Sequence, residues 1–312
     1  MRENYPELKP GKRPLLFGEV LFDHFPDGHK VLGGAPFNVA WHLQGFGLQP
    51  LFISRLGEDA EAADIIRRMD DWGMDVAGLQ LDPERPSGRV NVSIQDNEPS
   101  YFIEENQAWD LIEYEPLQAL LAEEEWALLY QGSLGVRHPQ SAATLARLKQ
   151  DLALATFVDI NIRPPFWQAS QLEALLQQAR WLKLNRDELI RLGGTEPQDS
   201  EQTDITASIR QRWHLEMAIL TLGDQGARLE SAVHQLGGRP PAVSDFTDAV
   251  GAGDAFTAIV LLGLIRQWSF SSMLARALAF SSAICAVRGA VPESEKLYQD
   301  FIQAWSESGD GF

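Results

Sequence analysis

The feature that most constrains the fold is a repeated alternation of short apolar runs with amphipathic helical patterns. Runs such as PLLFGEVLF, PLFISRLG, TFVDIN and AILTLG are each followed by a segment with helical periodicity. This alternation predicts an α/β fold in which a mostly parallel sheet has helices on both faces. In such sheets ligands bind beyond the carboxyl ends of the strands, so we expect the functional residues there.

One region departs from this pattern. In residues 86–105 the apolar Val90, Val92 and Ile94 alternate with polar residues, a period of two that is typical of a strand with one buried face. The pattern predicts an antiparallel hairpin. Together with residues 21–33 it could form a small sheet that projects from the main domain and covers a ligand cleft. We call these two segments the lid; an ordinary edge hairpin is the alternative.

Composition narrows the class of partner. The 312 residues include 44 Asp and Glu against 26 Lys and Arg, a formal net charge of −18. Such a charge repels nucleic acid and anionic membrane surfaces, and it favours a small-molecule partner. A nucleotide site would have to supply local positive potential from a metal ion, backbone amides or a few basic side chains.

Cysteine content and the start of the chain indicate a compartment. The single Cys285 excludes an intramolecular disulfide, and a reducing cytosol fits this usage. The start is polar and contains proline, and the longest apolar runs are too short to span a bilayer, so we expect a cytoplasmic protein. Residues 1–13 are expected to form a loose tail, and residues 14–306 a single domain that includes the lid.

The stretch DAVGAGDAF contains the strongest chemical motif. Gly251 and Gly253 permit backbone conformations that other residues avoid, and their amides can converge on an anion at the start of the apolar helical run that follows. Asp254 falls in the first turn of that helix. The structural alternative is that Asp254 only helps to start the helix, where a carboxylate interacts favourably with the helix dipole.

Two segments carry a resemblance to a known family. DAVGAGDAF and GGAPFNVAWHLQGFG closely resemble the C-terminal and N-terminal signatures of the ribokinase-like, or pfkB-type, carbohydrate kinases. The resemblance implies the ribokinase-like fold with a small β lid. It also implies that Gly251, Ala252 and Gly253 bind the phosphate charge that develops during transfer and that Asp254 accepts the proton of the sugar hydroxyl. Ala249 stands where the family usually has Thr, and this change leaves the amides and the base in place.

The same resemblance assigns a sugar side. GEVLFD resembles the first strand running into a sugar-binding aspartate, and VDINIRPPFW resembles an Asp-x-Asn-x-Arg element of fructokinases and 2-keto-3-deoxygluconate kinases. From the residues alone, a turn aspartate, a capping amide and a surface ion pair are the respective alternatives. The implied substrate-binding residues are Asp23, Gly34, Asn38, Asp159, Asn161 and Arg163.

A nucleotide side is implied as well, with ATP and Mg²⁺ as cofactors and K⁺ as an open question. WLKLNRDEL matches an Asn-x-x-Glu element that places Asn185 and Glu188 in the magnesium and phosphate environment, Glu188 as the metal-side residue acting through water. By spacing alone, a helix N-cap with an acidic residue three positions later explains the pair equally well. The implied nucleotide-binding residues are Asn185, Thr221, Gly223, Gly226 and Gly289.

Substrate choice depends on finer likenesses. Gly33 to Pro36 and YQGSLG resemble bacterial fructokinases, so D-fructose is the leading substrate, although Phe37 departs from the small residue common there. Phosphorylation of 2-keto-3-deoxygluconate or another sugar is the alternative, with Arg89 or Arg163 available for a sugar carboxylate. A non-catalytic sugar sensor with the same fold is the alternative from another class. In this family lids often pair between subunits, so a homodimer through the lid is implied.

Overall fold

The computed structural model of the protein describes residues 8, 11–95, 98–193, 199–243 and 245–307. Within these residues, thirteen strands form two sheets, a main sheet of nine and a small sheet of four. The strands are β1 Arg13–Phe17, β2 Leu21–His24, β3 Lys30–Gly33, β4 Leu51–Gly57, β5 Leu79–Asp82, β6 Gly88–Gln95, β7 Glu98–Ile103, β8 Trp126–Gly132, β9 Thr156–Asp159, β10 Trp181–Asn185, β11 Met217–Thr221, β12 Ala227–Ser231 and β13 Gln235–Gly238.

The main sheet has the order β13-β12-β11-β10-β9-β8-β1-β4-β5. Neighbouring strands from β11 through β5 run parallel, and only the β11-β12-β13 edge is antiparallel. The carboxyl ends of β1, β8, β9, β10 and β11 therefore meet along one edge. The predicted α/β fold with a mostly parallel sheet is confirmed.

Helices cover both faces of the main sheet because side chains alternate along each strand. Leu16 and Phe157 belong to a core cluster with α1, α2 and α8–α10, whereas Leu15 and Val158 belong to a second cluster with α4–α7. The helices are α1 Ala35–Gly45, α2 Ala60–Asp71, α3 Gln118–Ala122, α4 Pro139–Leu152, α5 Ala169–Leu176, α6 Arg186–Gly193, α7 Asp199–Arg212, α8 Ala252–Ile265, α9 Phe270–Ile284 and α10 Glu295–Glu307.

Helix α8 is the central helix of the first cluster. Its residues from Ala255 to Ile265 are all buried, so apolar side chains point outward on every side and meet other protein atoms. Among the described residues, however, neither α8 nor any other helix has the length and apolar character needed to cross a membrane. The burial fixes α8, and with it the turn that starts the helix, against the sheet.

The lid segments form the small sheet, in the order β3-β2-β6-β7. The β6-β7 pair is antiparallel, as the alternation in residues 86–105 predicts, and residues 96–97 between the two strands lie outside the described residues. The β2-β6 pair is parallel and joins the two segments. Five buried residues form the small core beneath this sheet: Leu21, Val90, Ile103, Trp109 and Leu134. Closure of the lid over a ligand stays a prediction.

Two details of the sequence interpretation need correction. The segment from Gly18 to Asp23 is not one strand, because β1 ends at Phe17 and Asp23 lies on lid strand β2. The chain turns at Gly18, where an added Cβ would lie 2.5 Å from Pro36 Cγ. In the expected N-terminal tail, Leu8 is buried in the first core cluster, so the tail is packed at that residue.

Candidate active site

The turn at Gly251 starts helix α8 at the edge where the parallel strands end. Gly251 adopts a left-handed conformation, with φ +77°, and an added Cβ would lie 2.6 Å from the Cα of Ala290, so only glycine fits. The first helical hydrogen bond of α8 runs from the Ala255 amide to the Gly251 carbonyl, at 2.8 Å. The Ala252 amide donates instead to the Ala249 carbonyl, at 3.2 Å. The Gly253 amide lies ahead of the first helical bond and Gly253 is exposed, so this amide can bind an anion.

Asp254 lies in the first turn of α8, and Asn38 of α1 donates a hydrogen bond of 2.7 Å to its Oδ2. Burial raises the pKa of Asp254 to about 6. The Asn38 hydrogen bond and the positive charges of Lys183 and Arg163 act in the opposite direction, and the negative charge of Asp159 adds to the rise. A carboxylate with this pKa is ionised at neutral pH and is a better proton acceptor than an ordinary aspartate.

A second carboxylate faces the same region from the lid. Burial raises the pKa of Asp23 to about 6, and the positive charge of Arg163 opposes the rise. Arg163 has the same effect on the pKa of Asp254, so its guanidinium lies within electrostatic range of both aspartates. Arg163, on the loop after β9, therefore acts on both Asp23 of β2 and Asp254 of α8; contact of Asp23 and Arg163 with a sugar stays a prediction.

Gly34 and Asn38 connect the lid to the turn. Gly34 is the N-cap of α1 with φ +110°, and an added Cβ would lie 2.6 Å from the carbonyl oxygen of Glu19. This close approach requires glycine. The Asn38 amide donates to the Gly34 carbonyl at 2.8 Å, and its side chain is buried against Asp254. Asn38 is thus an orienting partner of Asp254, and its own Oδ1 is buried with no hydrogen-bond partner among the described residues.

Glu19 is a residue of this site that the sequence interpretation missed. It is 2% exposed, and its Oε2 has no hydrogen-bond partner in the described part of the chain. Burial raises the pKa of Glu19 to about 7, the charge of Asp254 adds to the rise, and Arg163 and Arg137 oppose it. The available signal was an acidic residue two positions after an apolar strand whose carboxyl end belongs to the ligand edge.

Lys183 of β10 is the second residue that was missed. It is 7% exposed, and its Nζ lies 3.1 and 3.0 Å from the two carboxylate oxygens of Asp159. Thr257 of α8 donates a hydrogen bond of 2.8 Å to Asp159 Oδ2. Because Asp159 is 1% exposed and fully engaged in this way, it lies beneath the site instead of lining a sugar pocket. A lysine within the apolar run WLKLN was the signal, since a buried charge requires a partner.

Asn161 and Arg163 follow Asp159 in a loop rather than in a strand. Asn161 has a left-handed backbone, with φ +46°, and its carbonyl oxygen lies 3.5 Å from Ser133 Oγ at the end of β8. This conformation turns the chain so that Arg163 is exposed and faces the two aspartates. The structure assigns Asn161 a backbone role; contact with substrate stays a prediction.

Asn185 and Glu188 form a reciprocal cap at the start of α6. The Glu188 amide donates to Asn185 Oδ1 at 2.9 Å, and Glu188 Oε2 accepts from the Asn185 amide at 2.8 Å. Glu188 Oε1 accepts from the Ile162 amide at 2.8 Å. The structural alternative for this pair is therefore present, and direct metal ligation would have to compete with two amides. Water-mediated contact with magnesium stays a prediction.

A cleft of about 580 Å³ opens on the antiparallel edge of the main sheet. Gly223, with φ +61°, has open space where a side chain would be, whereas a Cβ on Gly226 would lie 1.9 Å from the Gly238 carbonyl oxygen. Thr221 Oγ1 lies 3.3 Å from the Leu184 carbonyl oxygen at the same edge. Gly289, with φ +81°, lies on the turn that packs against Gly251. The cleft is lined by Leu222, Gln225, Ala227, Arg228, Gly237, Gly238 and Arg239.

The family follows from comparison with known proteins. The model of the pfkB family carbohydrate kinases matches residues 13–297. The chain belongs to this family. It is therefore a carbohydrate kinase, a phosphotransferase that acts on an alcohol group, and the resemblance described above is confirmed. The turn at Gly251 and the residue Asp254 lie inside the matched range.

Relatives of this pfkB-family kinase include a protein named "Probable fructokinase-5" from Arabidopsis thaliana, which is 27% identical over 89% of this chain and 94% of its own length. Fructokinase-1 from Zea mays is 27% identical over 89% of this chain and 93% of its own length. These relatives support a sugar kinase without defining the sugar.

Solved structures agree on the fold. A structure of fructokinase with bound ATP from Xylella fastidiosa has a TM-score of 0.81 and 22% identity, covering 95% of this chain and 99% of that chain. Aminoimidazole riboside kinase from Salmonella enterica has a TM-score of 0.76 and 24% identity, covering 93% and 99% of the two chains. At such identities the likeness shows the ribokinase-like fold alone.

Proposed function

We propose that the protein transfers the γ-phosphoryl group of ATP to a hydroxyl of a sugar, with D-fructose as the leading substrate. One observation carries the proposal: Asp254, with a pKa of about 6, is held by Asn38 at the start of α8, next to the turn whose glycines leave amides open to an anion. A base and an anion site on adjacent residues are what in-line phosphoryl transfer requires.

Five residues of the site have roles in the proposed reaction. Asp254 accepts the proton of the attacking hydroxyl while Asn38 orients its carboxylate. The amides around Gly253 bind the negative charge of the transferring group. Asp23 binds sugar hydroxyls from the lid, since a carboxylate can accept hydrogen bonds from two neighbouring hydroxyls. Arg163 lies within electrostatic range of both carboxylates and keeps the sugar side from being uniformly negative.

The nucleotide is proposed to lie along the cleft at residues 222–228 and 237–239. The volume of this cleft, about 580 Å³, falls in the range of small-molecule sites. Arg228 and Arg239 supply positive charge to an otherwise acidic chain. The described residues contain no cluster of three metal-ligating side chains. This fits magnesium that is held mainly by the triphosphate and water, and such an ion would neutralise phosphate charge. We therefore expect turnover to cease in excess chelator and to return with added Mg²⁺.

A sugar acid is the second candidate, and one contrast between two arginines favours it over other sugars. Arg89 lies 3.4 Å from Glu61 Oε1, so its charge is already paired. Arg163 is exposed, and among the described residues it forms no ion pair within 4 Å. Arg163 is therefore the residue that could receive the carboxylate of 2-keto-3-deoxygluconate.

Sugar-dependent release of ADP tests the proposal. The panel contains fructose, ribose, 2-keto-3-deoxygluconate and nucleosides, each with MgATP. Release with fructose at the highest kcat/KM supports the leading substrate, and release with the sugar acid that depends on Arg163 supports the second. Sugar binding without ADP release from any member would favour a non-catalytic sensor and overturn the kinase proposal.

A further inference from the structure

Lys183 reaches the underside of the turn that starts α8. Gly253 has no side chain, and a Cβ built on it would lie 3.4 Å from Lys183 Nζ. Gly253 itself is exposed to solvent. An anion bound at the Gly253 amide would therefore lie close to a buried ammonium group, with no side chain between them.

Lys183 is protonated and positively charged at neutral pH. Burial would lower the pKa of its amine, but the negative charges of Asp159, Glu188 and Asp254 outweigh burial and raise it. The ammonium group is consequently positive throughout the neutral range. It faces these three carboxylates and the start of α8, and it is fixed by two contacts to Asp159 of 3.0 and 3.1 Å.

The two ends of the Lys183–Asp159 ion pair face different parts of α8. Asp159 Oδ2 accepts from Thr257, which lies one helical turn further into α8, while Lys183 Nζ approaches Gly253 at the helix start. The positive end of the pair thus points toward the amides that bind an anion, in the same sense as the dipole of α8. A buried ion pair is weak evidence for stability, because desolvation offsets most of the attraction between its charges.

We propose that Lys183 is a fixed cation of the phosphoryl-transfer site, acting through the Gly253 backbone on the anion bound at the start of α8, with Asp159 as its positioning partner. This inference rests on the proposed function. Lys183 does not touch the substrate; it stabilises negative charge that develops next to Gly253. It also lowers the pKa of Asp254, which keeps that base ionised near neutrality.

Two matched variants separate this role from a structural one, because each breaks the same ion pair. Lys183→Met removes the positive end, and Asp159→Asn removes the negative end. We expect kcat to fall about 100-fold in Lys183→Met, the scale of losing one stabilising group from an anion site, and by less than about tenfold in Asp159→Asn. Affinity for the complex of ADP, Mg²⁺ and fluoroaluminate, which mimics the transferring group, should fall in parallel with kcat, and affinity for ATP should fall less.

The pH profiles give a readout that a structural role would not move. The acid limb of kcat/KM should shift to higher pH in Lys183→Met and to lower pH in Asp159→Asn, since the two charges act on Asp254 in opposite directions. Equal losses in both variants, with no opposite shift, would show that the pair only supports the fold and would overturn the inference.

Two further measurements keep the test decisive. If Lys183→Met does not fold, the double variant Lys183→Met/Asp159→Asn removes the uncompensated charge and is compared with Asp159→Asn alone; the 100-fold difference in kcat is then expected between these two. Lys183→Arg, which keeps the charge, should retain most activity. If the wild type releases no ADP with any sugar, the proposed function fails, and calorimetry with ADP, Mg²⁺ and fluoroaluminate still decides whether Lys183 strengthens anion binding.

Discussion

The two aspartates of the site, Asp254 and Asp23, have similar electrostatics but different attachments. Burial raises the pKa of each to about 6, and Arg163 opposes the rise in both. Asp254 is on α8, whose residues from Ala255 onward are buried in the large core, whereas Asp23 is on a lid sheet with a core of five residues. The difference suggests a division of labour in which the main domain holds the reacting groups and the lid holds the sugar.

The lid is tied to the main domain by charge and by apolar packing, since Phe22 of β2 and Leu32 of β3 are buried in the first core cluster. Glu61 of α2 is nearly buried and faces His24, Lys30 and Arg89, which come from three lid strands. His24 Nε2 lies 3.0 Å from Glu61 Oε1. At the outer edge, Tyr101 and Phe102 of β7 are 53% and 65% exposed. Opening of the whole lid would therefore expose Phe22 and Leu32 to water.

The largest effect should come from the fixed aspartate. Asp254→Asn keeps the shape and most binding contacts but cannot accept the hydroxyl proton, so kcat should fall by about 10²–10⁴ with KM little changed. Initial rates across sugar and ATP concentrations measure kcat and KM, and Asp300→Asn on the exposed face of α10 is the control. Near-normal activity would return Asp254 to the role of a helix-starting residue.

The lid aspartate should affect binding instead. Asp23→Ala removes a charged hydrogen-bond partner worth roughly 1.5–3 kcal/mol, so KM for sugar should rise about ten- to a hundredfold while kcat at saturation changes little. Asp27→Ala, on the exposed turn of the same hairpin, is the matched control. If Asp23→Ala abolished turnover at saturating sugar, the division between the two aspartates would be wrong.

A smaller effect should come from the contact between lid and domain. Glu61→Gln removes the charge that Lys30 and Arg89 share, and a partly exposed ion pair contributes about 0.5 kcal/mol, so loss of the two pairs should change KM for sugar by no more than about fivefold. Hydrogen exchange in residues 21–33 and 86–105 should be faster in the variant, and saturating sugar should slow it in the wild type. Arg67→Gln, on the solvent side of α2, should change neither. Exchange that is insensitive to sugar would contradict the lid.

The last expected effect concerns stability and not activity. Burial raises the pKa of Asp254 from 3.8 to about 6, so the unfolded chain releases the Asp254 proton at a lower pH than the folded state does. The folded state therefore loses stability as pH rises from about 4 to about 6. Asp254→Asn removes that loss, so its melting temperature should exceed that of the wild type at pH 7.5, and the two should converge near pH 4. A lower melting temperature for the variant at pH 7.5 would show that the ionised carboxylate stabilises the fold.

Local sequence predicted the parts of the site that depend on local backbone. Gly251 was recognisable because a glycine ahead of a helical run permits a left-handed turn, which the structure contains. Gly34 was identified by resemblance, and the structure adds that a close backbone approach excludes a side chain there. Asn185 and Glu188 lie three positions apart, a spacing that predicted a capping arrangement, and the structure contains it. The strand alternation predicted the main sheet because side-chain periodicity follows directly from strand geometry.

The tertiary structure alone decided which distant residues share the site. Lys183 contacts Asp159 across 24 positions, Thr257 reaches Asp159 across 98, and Asn38 reaches Asp254 across 216. Such contacts depend on strand order and register, which place the carboxyl ends of β9 and β10 beneath the start of α8. A sequence pattern specifies how each segment folds. It does not specify which charges meet, because that follows from how the segments pack, and the packing placed one buried cation under Gly253.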